Sequence, residues 1–164
     1  MFKKGDVVVY SASGVCEIEE ISKKSFGSCS AEYYVLKPLM QRASTVFVPV
    51  ENAALTKKIH PILTQSEFEA VFDSLKTRAP QRPETESERH DRFIEIIESG
   101  DRAGLMLMVY DLHNYSHEQQ QNGRRRHLGA ERLLRTAESM LFEEVAYVFD
   151  FPLTEADEFI KGKF

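Results

Sequence analysis

A chain of 164 residues with 42% hydrophobic and 29% charged side chains has a globular composition, enough for one ordinary domain or two small ones. Its longest apolar runs, Val7-Val8-Val9-Tyr10 and Leu105 to Tyr110, fall far short of the ~18 residues a membrane span needs, and Met1 to Asp6 does not read as a secretion signal, so a cytoplasmic protein is predicted. The net charge of −5 argues against a protein that mainly coats nucleic acid: residues 1–60 hold 8 basic and 6 acidic residues and the remainder 13 and 20, so any DNA contact must be a local patch.

The first ~57 residues read as short β-rich runs broken by turn residues. Val7 to Tyr10 is one strand, and Ser11-Ala12-Ser13-Gly14 is a turn. From Val15 to Ile21, Cys16 and Ile18 alternate with Glu17 and Glu19, the pattern of a strand with one face to a core. Gly27 and Ser28 mark a reversal, after which Tyr33 to Pro38 and Thr45 to Pro49 supply two more strands. Cys16 is read as a small core residue and Cys29 as a loop thiol; two cysteines are too few for a disulfide framework.

After Lys57 the apolar period lengthens from two to nearly four, which divides the chain into a β domain, 1–57, and a helical domain, 62–164. Thr64 and Glu67 fit a capping box ahead of the stripe Phe68, Val71, Phe72, Leu75. Ala79 to Pro83, with two prolines, is a loop. Thr85 and Glu88 open a helix that buries Phe93, Ile94, Ile96 and Ile97 and ends at Ser99-Gly100. Asp101 caps the next, which carries Leu105, Met108, Val109 and Leu112 and fades in Glu118 to Gly123. The longest helix carries Leu134, Ala137, Leu141, Val145 and Val148 until Pro152 stops it, and Thr154 and Asp157 start a short terminal one. The predicted class is α+β: a small β-barrel followed by four to five helices.

Few residues invite chemistry. His113 and His117 stand four apart, but no HExxH pattern or nearby cysteine completes a metal shell, so no metal site is predicted. Glu19-Glu20, Glu95-Glu98 and Glu143-Glu144 are assigned to wet faces by the periodicity around them. Met106, Met108 and Met140 read as core filling. There is no GxSxG, P-loop or GxGxxG, and neither catalytic residues nor a cofactor are expected. One basic segment stands out in the helical half: Arg124, Arg125 and Arg126, followed by Arg132 and Arg135, a candidate phosphate-contacting patch.

The order of pieces resembles a known family. Gly5-Asp6, Val8-Val9-Tyr10, Gly14-Val15, Ile18, Ile21, Tyr34-Val35-Leu36-Lys37, Val46, Val48-Pro49 and Glu51-Asn52 are similar to the RNA polymerase-interacting domain shared by CarD-like transcription regulators and the transcription-repair coupling factor. Ser99-Gly100-Asp101 and the Leu133 to Ala146 helix resemble the helical domain of the stand-alone CarD-like proteins. The resemblance implies a bacterial regulator with a Tudor/SH3-like barrel that binds the RNA polymerase β subunit. Its helical domain would lie near upstream promoter DNA, bind it weakly within that complex, and shift open-complex stability. It also implies a polymerase-binding set of Lys24, Thr45, Val46, Phe47, Val48 and Pro49, with Thr45 to Val48 as an edge strand that pairs with the partner.

Two positions depart from the family pattern. Phe47 stands where members commonly carry a basic residue, and Glu86 aligns with a tryptophan that wedges into the minor groove; this chain has no tryptophan. Phe93 is a possible substitute wedge, though its spacing to Ile96 and Ile97 points to a core role. The alternative reading is a protein-protein adaptor whose acidic helical domain binds another protein and no DNA. A homodimer formed by domain-swapped exchange through the exposed strand is a further expectation.

Overall fold

The computed structural model describes residues 1–40, 44–77, 85–121 and 128–163. Five strands come first: β1 (Val7–Tyr10), β2 (Val15–Phe26), β3 (Cys29–Pro38), β4 (Val46–Pro49) and β5 (Ile59–Pro61). They form one antiparallel sheet in the order β4-β3-β2-β1-β5. A single helical turn, α1 (Ala53–Thr56), links β4 to β5. Helices α2 (Gln65–Leu75), α3 (Glu86–Ser99), α4 (Arg102–Gln121), α5 (Leu128–Phe149) and α6 (Ala156–Lys161) follow. The architecture is α+β, as the change of period predicts. Neither α1 nor β5 is visible in that period, because each is too short to repeat. The predicted loop Ala79 to Pro83 lies outside the described residues.

Local chemistry explains most boundaries. Gly14 takes φ 65°, a conformation that favours glycine, and its carbonyl accepts from Tyr10 N–H at 3.0 Å to close the first turn. β2 and β3 form a long hairpin, registered from Cys16 opposite Pro38 to Phe26 opposite Cys29, with a bulge between Ile18 and Glu20. Cys29 therefore opens a strand and is not in a loop, because the reversal is completed by Gly27 and Ser28. Both capping boxes form: Thr64 N–H donates to Glu67 Oε2 at 2.7 Å and Thr85 N–H to Glu88 Oε2 at 2.8 Å, and each threonine hydroxyl accepts in return. Gly100, at φ 69°, ends α3, and Asp101 Oδ1 accepts from Gly104 N–H to start α4. α4 ends at Gln121, within the polar run Glu118 to Gly123.

The hydrophobic interior has two parts. Val8, Cys16, Ile18, Tyr34, Leu36, Val48 and Ile59 fill the inner face of the sheet. A larger cluster gathers the stripes of α2 to α6, and it also takes in Val9 and Val15 from the sheet, with Val7 packed against it. β1 thus buries both faces, Val8 in the first core and Val9 in the second, which is why it reads as an unbroken apolar run rather than an alternation. The two halves share a core. Phe93 lies in it beside Ile96 and Ile97, as do Met106, Met108 and Met140.

Polar groups sew the same junction, and here one expectation is corrected. Glu143 and Glu144 are not on a wet face: each is about 1% exposed, on the side of α5 that meets the sheet. Glu143 Oε2 accepts from Val15 N–H at 3.0 Å, and its Oε1 accepts from Ser139 Oγ. Glu144 takes a forked pair from Arg102, Nε to Oε2 at 2.8 Å and Nη2 to Oε1 at 2.9 Å, and accepts Leu63 N–H at 3.0 Å. Arg102 also donates to Pro61 O and Gly100 O. Glu19, Glu95 and Glu98 are exposed and Glu20 half-buried, as expected.

His60 on β5 completes the seam, its Nε2 lying 2.6 Å from Ile97 O, so this nitrogen carries the proton. Burial, helped by the Arg102 charge, pushes its pKa below the ordinary histidine value, against opposing effects of the Ile97 carbonyl and Glu144. A depressed histidine contributes stability that is present above the unfolded pKa and is lost as pH falls through the folded one. Between pH 7.5 and 5 the native chain is therefore expected to lose more thermal stability than His60→Gln. Equal losses in the two proteins would show that His60 does not govern this window.

Candidate functional site

The two ends of the sheet differ among the described residues. At β5, Pro61 O is taken by Arg102 and His60 reaches Ile97, so the helical half covers that margin. At the other end, β4 pairs with β3 through Leu36 opposite Val46, Val35 opposite Phe47, Tyr34 opposite Val48 and Tyr33 opposite Pro49. Among the described residues no further strand pairs with β4.

The hydrogen-bond phase of this ladder decides which main-chain groups are free. Val50 N–H donates to Glu32 O at 2.9 Å, one step beyond the Tyr33–Pro49 pair. Bonded and non-bonded pairs alternate along an antiparallel ladder, so Val48 and Val46 turn their main-chain groups to β3 while Phe47 and Pro49 turn theirs away. Proline has no N–H, and Pro49 O is already taken by Asn52 N–H at 3.1 Å. Phe47 is then the residue of β4 that offers both an N–H and a C=O to the open side.

Side chains follow the same alternation. Tyr34, Leu36, Val48 and Ile18 point into the core, which places Glu20, Lys24, Phe26, Tyr33 and Phe47 on the outward face. Three of these touch: ring centroids lie 5.3 Å apart for Phe26 and Tyr33, 5.5 Å for Phe26 and Phe47, and 6.5 Å for Tyr33 and Phe47, each pair edge to face. Phe26 is 52% and Phe47 40% exposed. Lys24 Nζ is held by Glu20 Oε1 at 2.5 Å on the same strand.

The predicted polymerase-binding set therefore divides. Phe47 and Pro49 belong to the open edge, and Thr45, exposed, leads into it. Val46 and Val48 face inward and hold the strand down. Lys24 lies on the outer face but opposite Ala31, four residues along β3 from the partner of Phe47. Phe26 and Tyr33 were not singled out by sequence reasoning, although the alternation Ser22, Lys24, Phe26 already puts the phenylalanine on the polar face of its strand.

In the helical half, Arg132 and Arg135 are exposed near the start of α5. Arg124, Arg125 and Arg126 lie outside the described residues. Glu86 begins α3 and, with His90, Gly129, Arg132 and Leu133, lines a shallow cavity of about 250 Å3. His113 Nε2 lies 2.7 Å from Glu138 Oε1, a carboxylate of α5.

Residues 2–63 match the CarD-like/TRCF RID domain, and residues 70–161 match the CarD C-terminal domain. The chain belongs to the CarD-like family. Its sheet is the Tudor-like RID domain, whose matched range includes β5, and α2 to α6 lie largely within the CarD C-terminal range. As a CarD-like protein it is an RNA polymerase-interacting transcription factor. No helix among its described residues is long and apolar enough to cross a membrane.

Proposed function

We propose that this CarD-like chain is a non-enzymatic, cytoplasmic bacterial regulator. In this reading it docks on the RNA polymerase β subunit through the open edge of β4 and holds its helical domain near upstream promoter DNA, where it alters open-complex stability. The observation that carries the reading is the outward N–H and C=O of Phe47 on a margin of the RID sheet that no further strand covers among the described residues. Unpaired strand groups gain main-chain hydrogen bonds when another strand is added, and the neighbouring side chains select which strand it is. Arg132 and Arg135 supply positive charge for the phosphate backbone on the helical side. The adaptor reading, in which the helical domain meets a protein and no DNA, draws support from Glu86 beside Arg132, since a carboxylate there repels phosphate.

The test measures binding of the full chain to RNA polymerase and to its isolated β lobe, together with the lifetime of open promoter complexes. Phe47→Pro removes the outward N–H without touching the β3 ladder, so the chain stays folded, and binding is expected to fall below detection. Arg132→Ala with Arg135→Ala should leave polymerase binding intact and reduce the change in open-complex lifetime. If the native chain fails to bind, or Phe47→Pro binds as well as the native chain, the edge is not the docking site.

A further inference from the structure

We infer that Phe47 recognises an apolar residue on the docking strand of RNA polymerase, with Phe26 and Tyr33 as the floor of that contact, so that this CarD-like chain selects its partner by hydrophobic burial rather than by a cation on this face. The inference rests on the edge-pairing reading above and specifies its chemistry.

The first support is geometric. A strand added to β4 must exchange main-chain hydrogen bonds with Phe47, the position there with both groups free. Directly opposed residues in a sheet put their side chains on the same face with Cβ atoms about 4.5–5.5 Å apart. The residue that bonds to the Phe47 main chain thus has its own side chain beside the Phe47 ring. Docking and selection fall on one residue pair.

The second support is the surface that the incoming side chain meets. Phe47 is not alone: its ring packs edge to face against Phe26 and Tyr33, and two of the three remain 40–52% exposed. Such a ledge, continuous with an open strand edge, gains by being covered.

Charge supplies the third. Lys24, the lysine nearest this ledge on the outward face of β2, is bound to Glu20. A carboxylate on the incoming strand would find Lys24 already compensated and would lose its hydration against three aromatic rings. An aliphatic or aromatic side chain carries no such cost.

Binding of full-length variants to RNA polymerase tests this, with thermal melts to establish that each is folded. Phe47 is exposed, so its replacement should leave the fold intact. Phe47→Leu is expected to bind within about threefold of the native chain, and Phe47→Ala about thirtyfold more weakly, as for a buried interface anchor. Phe47→Arg should be at least as weak as alanine, and Phe26→Ala should show an intermediate loss. The inference is overturned if Phe47→Arg binds as tightly as the native chain. It is also overturned if Phe47→Ala is neutral while Phe47→Pro abolishes binding, a result that would keep the edge and discard the ledge. Absence of binding by the native chain would remove the edge reading itself.

Discussion

Glu144→Ala is expected to destabilise the chain by about 3–5 kcal/mol, the usual cost of leaving one member of a buried ion pair without its partner. Arg102 is buried with Glu144 and takes both of its carboxyl oxygens in a fork, so truncation strands a guanidinium away from water. It also leaves Leu63 N–H without an acceptor. In a chain of this size the loss corresponds to a fall in melting temperature on the order of 10 °C. The pair Arg102→Met with Glu144→Leu should cost less than either single change, because removing both charges removes the need to solvate either. Urea unfolding of Glu144→Ala, of the two single changes and of the pair checks this. A Glu144→Ala midpoint close to the native one would mean that the pair does not secure the junction.

Gly14→Ala is expected to cost about 2–6 kcal/mol, from two sources that can be separated. At φ 65° and ψ −141°, backbone that is essentially reserved for glycine, an alanine is strained by roughly 1–3 kcal/mol. In addition its Cβ would sit 1.8 Å from Glu143 Oε2, so the carboxyl must leave Val15 N–H, and a buried donor without an acceptor costs about 1–3 kcal/mol. In a Glu143→Ala background the clash is gone and the donor is already unmatched. There the same glycine replacement should cost only its backbone strain. A double-mutant cycle in urea reads the difference as a coupling of about 1–3 kcal/mol. Additive effects would show that Gly14 and Glu143 do not constrain each other.

Both predictions concern the seam between sheet and helices, which is the feature least visible in the sequence. Glu143 and Glu144 sit in a helix whose apolar residues step by three and four, and by that period alone they belong to the solvent side. They are buried because α5 meets two surfaces, the helical core and a margin of the sheet made by the first turn and the residues after β5, and the second surface presents main-chain N–H groups that need acceptors. The unbroken run Val7-Val8-Val9-Tyr10 was the available hint that β1 is covered on both sides. β5 had no hint of its own, since three residues ending in proline show no period. The functional edge was partly legible. Thr45 to Pro49 reads as a strand with a terminal proline, but the phase of its hydrogen bonds does not follow from residue types. That phase is what gives Phe47 the free main-chain groups and leaves Val46 and Val48 to the ladder.

By itself the amino-acid sequence determined the class, the turn at Gly14, the hairpin reversal, both capping boxes and the apolar stripes, and through its residue pattern the family. All of these are written in contacts a few residues long: a glycine at positive φ, a threonine three before a glutamate, a repeat of two or of nearly four. Only the tertiary structure decided that the two halves share one core, that two glutamates of α5 are interior groups, and that Phe26, Tyr33 and Phe47 form one outward ledge beside an open edge. Those outcomes depend on which surfaces meet across tens of residues, and a local pattern cannot encode the partner it will meet.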